Sequence, residues 1–495
     1  MAAYNRQPGF PKSKKSMKIF IGRKEEKNIL EKTLKSEEAE LIAIYGRRRV
    51  GKTFLIREVF KSKIIFEFSG VHNATLKDQL LNFRNRLAEV TNQKLPPEIP
   101  IGWTEAFEML KKYCDPLLKK GKCVIFLDEF PWLNTPKSGF LSAFEYFWNS
   151  WGTKQDNLVL TICGSAASWM IQKVVNNKGG LHNRITRKIR LLPFTLTETK
   201  DYLESKNVKL DLYQITQLYM VMGGIPHYLR EIEAGLSAAQ NIDRLCFTKD
   251  GILKSEFDNL YRSLFAEADK HIAVVKALNN TPAGLTRKEI IKTCGLSSGG
   301  RATLLLDELM ESGFITNYIP YEKNVNDTIY KLSDEYSRFY LKYIEHGRAT
   351  GEGTWMKLST QATWKSWSGL AFESICLKHT NEIKAALGIS GVYTEESIWR
   401  YVPGKKEDAT GTQIDLVLDR NDFCVSICEM KFSASEFSID KSYAEELKNK
   451  LDIFQQKTKT KKALFLVMIT TFGTKQNMYK PGLVQNDIML EELFK

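Results

Sequence analysis

The sequence predicts an α/β protein with three folded parts: a parallel sheet with a helical lid, a small helical domain with a hairpin, and a second α/β domain. Short apolar runs alternate with helical segments between residues 41 and 192, which is typical of a parallel sheet. Three later helical segments precede two strand-like runs, and a further hairpin follows a helix near the C-terminus. The expected parts are residues 1–16 as a basic disordered tail, 17–265 as the first domain with its lid, 266–347 as the middle domain, 348–365 as a linker and 366–495 as the C-terminal domain.

The composition is that of a globular protein with a basic surface. The chain has 495 residues and a formal net charge of +14, which favours polyanionic partners. No run of about 18 uncharged apolar residues occurs, so we expect no membrane span. The eight cysteines lack paired spacing, and most lie in apolar runs. We therefore expect buried, reduced thiols and a cytoplasmic protein.

A glycine-rich loop follows the first strand-like run, residues 41–45. Its sequence, GRRRVGKT, fits the pattern G-x-x-x-x-G-K-[ST]. The glycines let backbone N–H groups surround phosphate oxygens, while Lys52 reaches the β- and γ-phosphates and Thr53 holds Mg²⁺. A helix follows, so the phosphates of ATP would lie at its N-terminus. The expected nucleotide-binding residues are Gly46, Arg47, Arg48, Arg49, Val50, Gly51, Lys52, Thr53 and Phe54.

A second apolar run, residues 123–127, ends in two acids. Asp128 is expected to bind Mg²⁺ through its water shell, and Glu129 to orient or deprotonate the attacking water. Three further runs complete the predicted parallel sheet, with helical segments between them. These runs are residues 64–68, 158–163 and 185–192.

Two more residues are candidates for the nucleotide site. Ser165 follows the run 158–163, where a polar side chain can sense the γ-phosphate, although a helix N-cap is an alternative. Arg184 follows a loop with two glycines and is a candidate arginine finger, which would complete a neighbouring subunit's site. The alternative for Arg184 is a solvated basic residue.

Five motifs together resemble the archaeal-type ATPases of the AAA-related and STAND-like P-loop group: IFIGRKEE, IYGRRRVGKT, IFLDEFPWL, ICGSAASWM and GGIPHYL. The resemblance implies that Gly22 and Arg23 lie beside the adenine. It also implies that Gly224 and Pro226 form the Gly-Pro segment of the lid. Ser165 stands where such proteins more often carry Asn.

The middle region predicts a winged helix-turn-helix. Three helical segments and two strands around the polar turn EKNVND form the pattern. The third helix would read DNA, with Arg301 and Thr303 near its start. Packing against the first domain or another protein is the alternative, because two acids in the helix oppose phosphate approach.

The C-terminal region predicts a hairpin that carries an acidic pair. A three-residue loop centred on Asp422 would set Asp415 opposite Glu429, and a two-residue loop would set it opposite Cys428. In either register both acids could bind one Mg²⁺ or Mn²⁺ ion. Lys431 lies on the same strand face as Glu429 and would stabilise the charge on a phosphate.

This pattern, an Asp followed by E-x-K on a hairpin, resembles PD-(D/E)xK nucleases, the restriction-endonuclease-like fold. The resemblance implies that Glu373, on the preceding helix, is an additional acidic residue of the site. The alternative for Glu429 and Lys431 is an ion pair that contributes little to stability.

The sequence thus favours an ATP-hydrolysing protein that acts on DNA, with a metal-dependent nuclease-like domain under nucleotide control. RNA is left open as a partner, as are an ATP-dependent homo-oligomer and a protein partner. The alternative is an ATP-dependent switch with a catalytically silent nuclease fold. A third hypothesis is an ATPase that serves a protein partner without nucleic acid.

Overall fold

The five apolar runs of the first domain all form strands of one parallel sheet, as predicted. Helices cover both faces, so the central strands are buried along nearly their whole length. The strands are β1 (Glu40–Tyr45), β2 (Ile64–Ser69), β3 (Cys123–Asp128), β4 (Leu158–Gly164) and β5 (Arg187–Arg190). Their order is β2-β3-β4-β1-β5, which places β1 and β3 on either side of β4.

The computed structural model describes residues 20–92, 98–175, 179–181, 183–347, 351–404 and 411–495. The predicted basic tail, residues 1–16, lies outside these ranges. None of the helices within them has the length and apolar character that crossing a bilayer requires.

Twelve helices surround the first sheet and form its lid. Those around the sheet are α1 (Lys24–Leu34), α2 (Lys52–Phe60), α3 (Leu76–Thr91), α4 (Trp103–Leu118), α5 (Phe130–Leu133), α6 (Phe140–Ser150) and α7 (Ala167–Met170). Those of the lid are α8 (Leu196–Ser205), α9 (Leu212–Met222), α10 (Pro226–Leu229), α11 (Ala238–Cys246) and α12 (Glu256–Leu264). The start of α8 is fixed by a capping box in which Thr195 and Glu198 satisfy each other's backbone N–H groups.

The middle region contains the three predicted helices and the two predicted strands. Its elements are α13 (Ala268–Asn279), β6 (Leu285–Thr286), α14 (Arg287–Thr293), α15 (Gly300–Glu311), β7 (Ile315–Tyr318), β8 (Ile329–Leu332) and α16 (Glu335–Phe339). Thr286 caps α14, as its position before the helical segment suggests. The three strands pair antiparallel in the order β6-β8-β7.

The described part of the predicted linker, residues 351–365, differs from the expectation. It contains a helix, α17 (Thr354–Leu358), whose Trp355 is buried. The backbone N–H groups of Gly353 and Trp355 donate to the carboxylate of Asp243 at 2.7 and 2.6 Å. The Trp355 ring also stacks on Phe247 at 5.8 Å. An aromatic anchor thus fixes a segment whose glycines suggested a flexible connection.

The C-terminal domain is a second five-stranded sheet with helices on both faces. Its elements are α18 (Ala362–Lys378), α19 (Thr380–Ala386), β9 (Thr394–Tyr401), β10 (Thr412–Arg420), β11 (Cys424–Lys431), α20 (Lys441–Thr458), β12 (Ala463–Thr470) and β13 (Asn486–Met489). Strands β9, β10 and β11 are antiparallel neighbours, whereas β11, β12 and β13 run parallel.

Within the described ranges, one apolar cluster extends from the first sheet to the C-terminal domain. It contains Ile44 of the first sheet, Tyr228 of the lid, Phe314 of the middle region and Phe372 and Phe494 of the C-terminal domain. Two further clusters fill the opposite faces of the two sheets. The parts predicted from sequence therefore share a continuous core. Because this core is closely packed, a movement of one helix or strand shifts the elements that pack on it.

Candidate functional site

Two glycines of the loop between β1 and α2 adopt backbone conformations that other residues rarely take. Gly46 has a φ of +143°, and a Cβ atom there would lie 2.3 Å from the carbonyl oxygen of Leu191. Gly51, with a φ of +94°, precedes α2. Both positions require glycine. The Nζ of Lys52 donates to the carbonyl oxygens of Gly46 and Arg47 at 2.9 and 2.8 Å, so the lysine lies over the loop that it is predicted to serve.

The end of β3 brings the two predicted Mg²⁺-holding residues together. The hydroxyl of Thr53 donates to Oδ2 of Asp128 at 2.8 Å. The other carboxylate oxygen of Asp128 accepts from the backbone N–H of Glu129 at 2.9 Å. A hydroxyl and a carboxylate are the hard oxygen donors that Mg²⁺ prefers, so these residues fit the ion.

Ser165 lies beside the predicted catalytic glutamate. Its hydroxyl donates to Oε2 of Glu129 at 2.8 Å, and its backbone N–H donates to the same oxygen at 3.3 Å. The helix that follows begins at Ala167 and has Ala166 at its N-cap position, which excludes the N-cap alternative. Glu129 itself has a left-handed backbone, with a φ of 44°, so two constraints fix its carboxylate.

Gly22 and Arg23 lie where the loop meets the lid. The backbone N–H of Arg23 donates to Oε1 of Glu198 at 2.6 Å, and its Nη2 donates to the carbonyl of Val50 at 3.3 Å. The guanidinium lies 4.7 Å from the ring centre of Phe194. A Cβ atom at Gly22 would lie 2.4 Å from the Glu198 carboxylate. These contacts join the loop to α8, and the adenine contact stays a prediction.

The Gly-Pro segment of the lid also approaches the loop. A Cβ atom at Gly224 would lie 1.9 Å from the carbonyl oxygen of Phe194, so only glycine fits there. Pro226 is the first residue of α10, where its missing N–H costs nothing. Two residues further on, Tyr228 has its ring centre 5.8 Å from the guanidinium of Arg49.

The side chains of two predicted nucleotide-binding arginines have protein partners instead. Arg47 is buried and forms an ion pair with Asp334, at the start of α16. Arg49 forms an ion pair with Glu256, at the start of α12. Contact of both residues with the nucleotide through their backbone N–H groups stays a prediction. Their side chains connect the loop to downstream helices.

Two aromatic contacts complete the surroundings of the loop. The guanidinium of Arg48 lies 5.5 Å from the ring centre of Trp132, in the helix that follows Glu129. The ring of Phe54 stacks on Phe20 at 6.1 Å and is 43% exposed. Phe54 is thus accessible to a ligand, as its predicted role requires.

Arg184 is exposed in the turn before β5, and its backbone N–H donates to Leu181 at 3.1 Å. Among the described residues, no hydrogen bond or ion pair joins its side chain to the nucleotide loop or to Glu129. The chain therefore does not bring Arg184 to its own site. Its action on a neighbouring subunit stays a prediction.

The predicted DNA-reading helix, α15, has one exposed and one docked end. Arg301 and Thr303 near its start are exposed, although Arg301 is paired with Glu267 at 2.7 Å. At the other end, Arg190 of β5 donates to the carbonyl of Met310 at 2.6 Å. Only the first turns of α15 are thus open to a partner.

The C-terminal hairpin adopts one of the two predicted registers. Leu416 lies opposite Cys428, so the loop has three residues and is centred on Asp422. The paired ladder ends there, and its continuation by one residue would set Asp415 opposite Glu429. The pairing of β10 with β9 is irregular between Ile414 and Val417, which includes Asp415, and bulges redirect side chains near functional sites.

Glu429 is buried among three donors. One carboxylate oxygen accepts from Tyr443 at 2.8 Å and from Lys431 at 2.9 Å, and the other accepts from Lys450 at 2.6 Å. Burial alone would raise the pKa of Glu429, but the two lysines hold this pKa below its usual value. The acid is therefore ionised and neutralised by the protein itself.

The third acid, Glu373, is also paired. Its Oε1 accepts from Nζ of Lys331 at 2.9 Å, while burial and the nearby charge of Asp415 raise its pKa. Within the described ranges, no group of three or more His, Cys, Asp or Glu residues is arranged to hold a metal ion. Lysines pair with Glu429 and Glu373, whereas Oδ1 of Asp415 accepts from the side-chain amide of Gln413 at 2.7 Å. Binding of a metal ion by Asp415 and Glu429 stays a prediction.

Several residues of these sites were not identified from the sequence, among them Lys331, Asp334, Glu256 and Lys450. Only Lys450 carries a local signal, because it lies seven residues after Tyr443 and so on the same face of α20. The other three act on residues far away in the sequence; Asp334, for example, is 287 positions from Arg47. Helical spacing could not reveal them.

Comparisons with known proteins show which proteins the chain, and its first domain in particular, is similar to. Residues 20–232 match a family described as an ATPase domain predominantly from Archaea. An uncharacterized protein of Methanocaldococcus jannaschii is 25% identical over 84% of this chain and 88% of its own length. An uncharacterized ATP-binding protein of the same organism is 49% identical over 10% of this chain and 80% of its own.

Among solved structures, a Walker-type ATPase of Pyrococcus abyssi covers 66% of this chain and 96% of its own, at 17% identity and a TM-score of 0.47. The ORC2 protein of Aeropyrum pernix covers 64% of this chain and 91% of its own, at 13% identity and a TM-score of 0.41. The family match and the geometry of the loop agree on the first domain. The match over residues 20–232 and the Gly-x-x-x-x-Gly-Lys-Thr loop together support a P-loop ATPase in this part of the chain.

Proposed function

We propose that this protein is an ATP-hydrolysing switch that acts on DNA and whose nuclease-like C-terminal fold serves binding rather than cleavage. The observation that carries the proposal is the grouping of Lys52, Asp128 and Glu129 at one edge of the sheet. Magnesium-bound ATP supplies the phosphoanhydride bond and a cation that neutralises its charge. The loop backbone and Lys52 would hold the phosphates, and Thr53 and Asp128 would hold the ion.

Glu129 would accept the proton of the attacking water, since its carboxylate lies next to the Mg²⁺-binding residues. Ser165 holds the same carboxylate oxygen and would thereby link the γ-phosphate to the position of the base. The eight cysteines are free thiols, which supports a cytoplasmic location.

DNA is proposed as the partner because the chain carries a net charge of +14 and exposes the first turns of α15. The test is fluorescence anisotropy of labelled single- and double-stranded DNA, measured with ADP and with a non-hydrolysable ATP analogue. We expect binding that weakens steeply with salt and differs between the two nucleotides. RNA of the same length tests the other nucleic acid. Absence of binding at low salt would leave only an ATPase that serves a protein partner.

Metal-dependent cleavage is the second candidate, supported by a hairpin register whose continuation beyond Leu416 and Cys428 would set Asp415 opposite Glu429. A metal ion would have to compete with Lys450 and Lys431 for the Glu429 carboxylate. Incubation of DNA and RNA with Mg²⁺ or Mn²⁺, with and without ATP, tests it. Cleavage that Asp415→Ala abolishes would establish a nuclease, and intact substrate under all conditions would support the binding role.

A further inference from the structure

One short segment contacts both the nucleotide loop and the C-terminal acids. We call residues 331–338 the coupling segment; it comprises the end of β8, the turn after it and most of α16. The carboxylate of Asp334 caps α16, because its Oδ2 accepts from the backbone N–H and the hydroxyl of Ser337 at 2.8 and 2.6 Å. Its other oxygen accepts from Arg47. Asp334 therefore has little freedom to move independently of the helix.

Arg47 carries this contact into the nucleotide site. Its guanidinium lies 4.9 Å from the ring centre of Phe314 and is buried. Its Nε and Nη2 have no hydrogen-bond partner among the described residues, so Asp334 supplies its side-chain acceptor. The backbone carbonyl of Arg47 accepts from Lys52 at 2.8 Å. A movement of Lys52 toward a phosphate therefore acts on the residue that Asp334 holds.

The other side of the coupling segment is fixed to α18 at two points. Lys331, three residues before Asp334, donates to Glu373 at 2.9 Å, and Lys378 donates to Glu335 at 2.5 Å. Glu373 and Lys378 both belong to α18. Because the segment is a strand end continued by a capped helix, a shift of Asp334 displaces both contacts to α18 together.

We propose that the coupling segment transmits the state of the nucleotide loop to the C-terminal acids, with Asp334 as a positioning residue for the loop and Lys331 as the contact to Glu373. The inference rests on the proposed ATP-dependent switch and names its route. When the nucleotide loop changes conformation, the strength of the ion pair between Lys331 and Glu373 changes. The repulsion between Glu373 and Asp415 changes with it.

Thermodynamic linkage makes the route testable without any nuclease assay. If the loop acts on Glu373, then Glu373 acts on ATP affinity by the same factor. We expect Lys331→Met and Glu373→Gln each to raise the Kd for ATP about fivefold, within the usual range of coupling between sites. The double variant should match a single one, since each change breaks the same pair. Asp334→Asn should raise the Kd more, because it releases Arg47 directly.

Lys384→Met is the matched control. This change breaks the ion pair between Lys384 and Glu396, which has the same length of 2.9 Å as the pair between Lys331 and Glu373. Both of its residues belong to the C-terminal domain and not to the coupling segment. Its ATP affinity should equal that of the wild type. Folded Lys331→Met and Glu373→Gln variants with wild-type affinity overturn the proposal.

Hydrogen exchange of the wild-type protein provides a second measurement that needs no variant. Addition of a non-hydrolysable ATP analogue should slow exchange of the backbone amides of residues 331–338. Unchanged exchange in this segment, at saturating analogue, also overturns the proposal. A wild-type protein that binds no ATP would instead refute the proposed function itself.

Discussion

The nucleotide site and the C-terminal acids both place a buried lysine near a carboxylate at the end of a strand, but they satisfy these charges differently. The ammonium of Lys52 donates to two backbone carbonyls. In the second region, Glu429 accepts from Lys431 and Lys450 directly. A lysine bonded only to carbonyls gains when an anion arrives, whereas a carboxylate already paired twice gains little from a cation. The first region is built to receive a ligand, and the second is internally neutralised.

The largest expected effect concerns the second region. Lys450→Met removes one partner of a buried carboxylate and should destabilise the protein by about 3–5 kcal/mol at neutral pH. Thermal and urea unfolding would measure this loss. Lys448→Met, on the exposed face of the same helix, is the control and should be near wild type. A loss below about 1 kcal/mol would mean that Lys431 and Tyr443 are sufficient to stabilise the Glu429 carboxylate.

This destabilisation should depend on pH. The folded state holds the pKa of Glu429 below its usual value, so the pair contributes stability above the unfolded pKa of about 4.3. That contribution disappears as pH falls through the lower, folded pKa. The difference in stability between Lys450→Met and the wild type should therefore shrink in acid. A constant difference would contradict the ionic origin of the effect.

The next effect concerns the first region. Lys52→Ala removes a buried cation that a phosphate needs, a loss worth about 2–5 kcal/mol in buried charge pairs. The Kd for ATP should rise by at least about 30-fold, as titration calorimetry would show. Lys61→Ala, at an exposed lysine after the same helix, should leave the Kd unchanged. Equal affinities in Lys52→Ala and the wild type would refute the nucleotide site.

Glu129→Gln should separate binding from turnover. The amide keeps the size of the side chain but cannot accept the proton of water, so hydrolysis should fall about 10²-fold or more. ATP binding should stay within a few-fold of the wild type. Glu89→Gln, at an exposed acid of the same domain, provides the control in a steady-state ATPase assay. Wild-type turnover would exclude Glu129 as the base.

Ser165→Ala should have the smallest effect. It removes the hydroxyl hydrogen bond to the Glu129 carboxylate, worth about 1.5 kcal/mol at the lower end of the range for charged acceptors, and leaves the backbone N–H donor in place. We expect turnover to fall two- to tenfold. Combined with Glu129→Gln, the change should slow turnover no further, because Ser165 acts through that carboxylate. An additive loss in the double variant would show an independent role for the serine.

The sequence predicted the first sheet well because its strands are buried runs separated by helices. Strand β1 ends at Tyr45 and strand β3 ends at Asp128. A recognisable nucleotide-binding motif lies at each of these two ends. The hairpin register could be narrowed only to two options, since Asn421 and Asp422 permit loops of either length. Phe423, with a φ of 60°, supplies the third loop residue, which a bulky aromatic side chain does not suggest.

The partners of the charged side chains were harder to predict. Asp334 and Lys331 follow ordinary strand and cap patterns, and nothing local distinguishes them from residues that face solvent. Their roles arise from packing between segments far apart in the chain, which local periodicity does not encode. The same reason explains the linker: Gly351 and Gly353 indicate a turn, but Trp355 is anchored by Phe247.

The continuous apolar core limits where the protein can be truncated. Tyr213 of the lid stacks on Phe432 at 4.9 Å, and the backbone N–H of Leu196 donates to His379 at 3.1 Å. A fragment ending near residue 265 would expose Tyr213 and the N–H of Leu196 to water. Exposed apolar surface of this kind favours aggregation. Such a truncation should precipitate or require a chaperone when it is produced alone. Coexpression with the complementary fragment should restore solubility, because each half covers the other's exposed face.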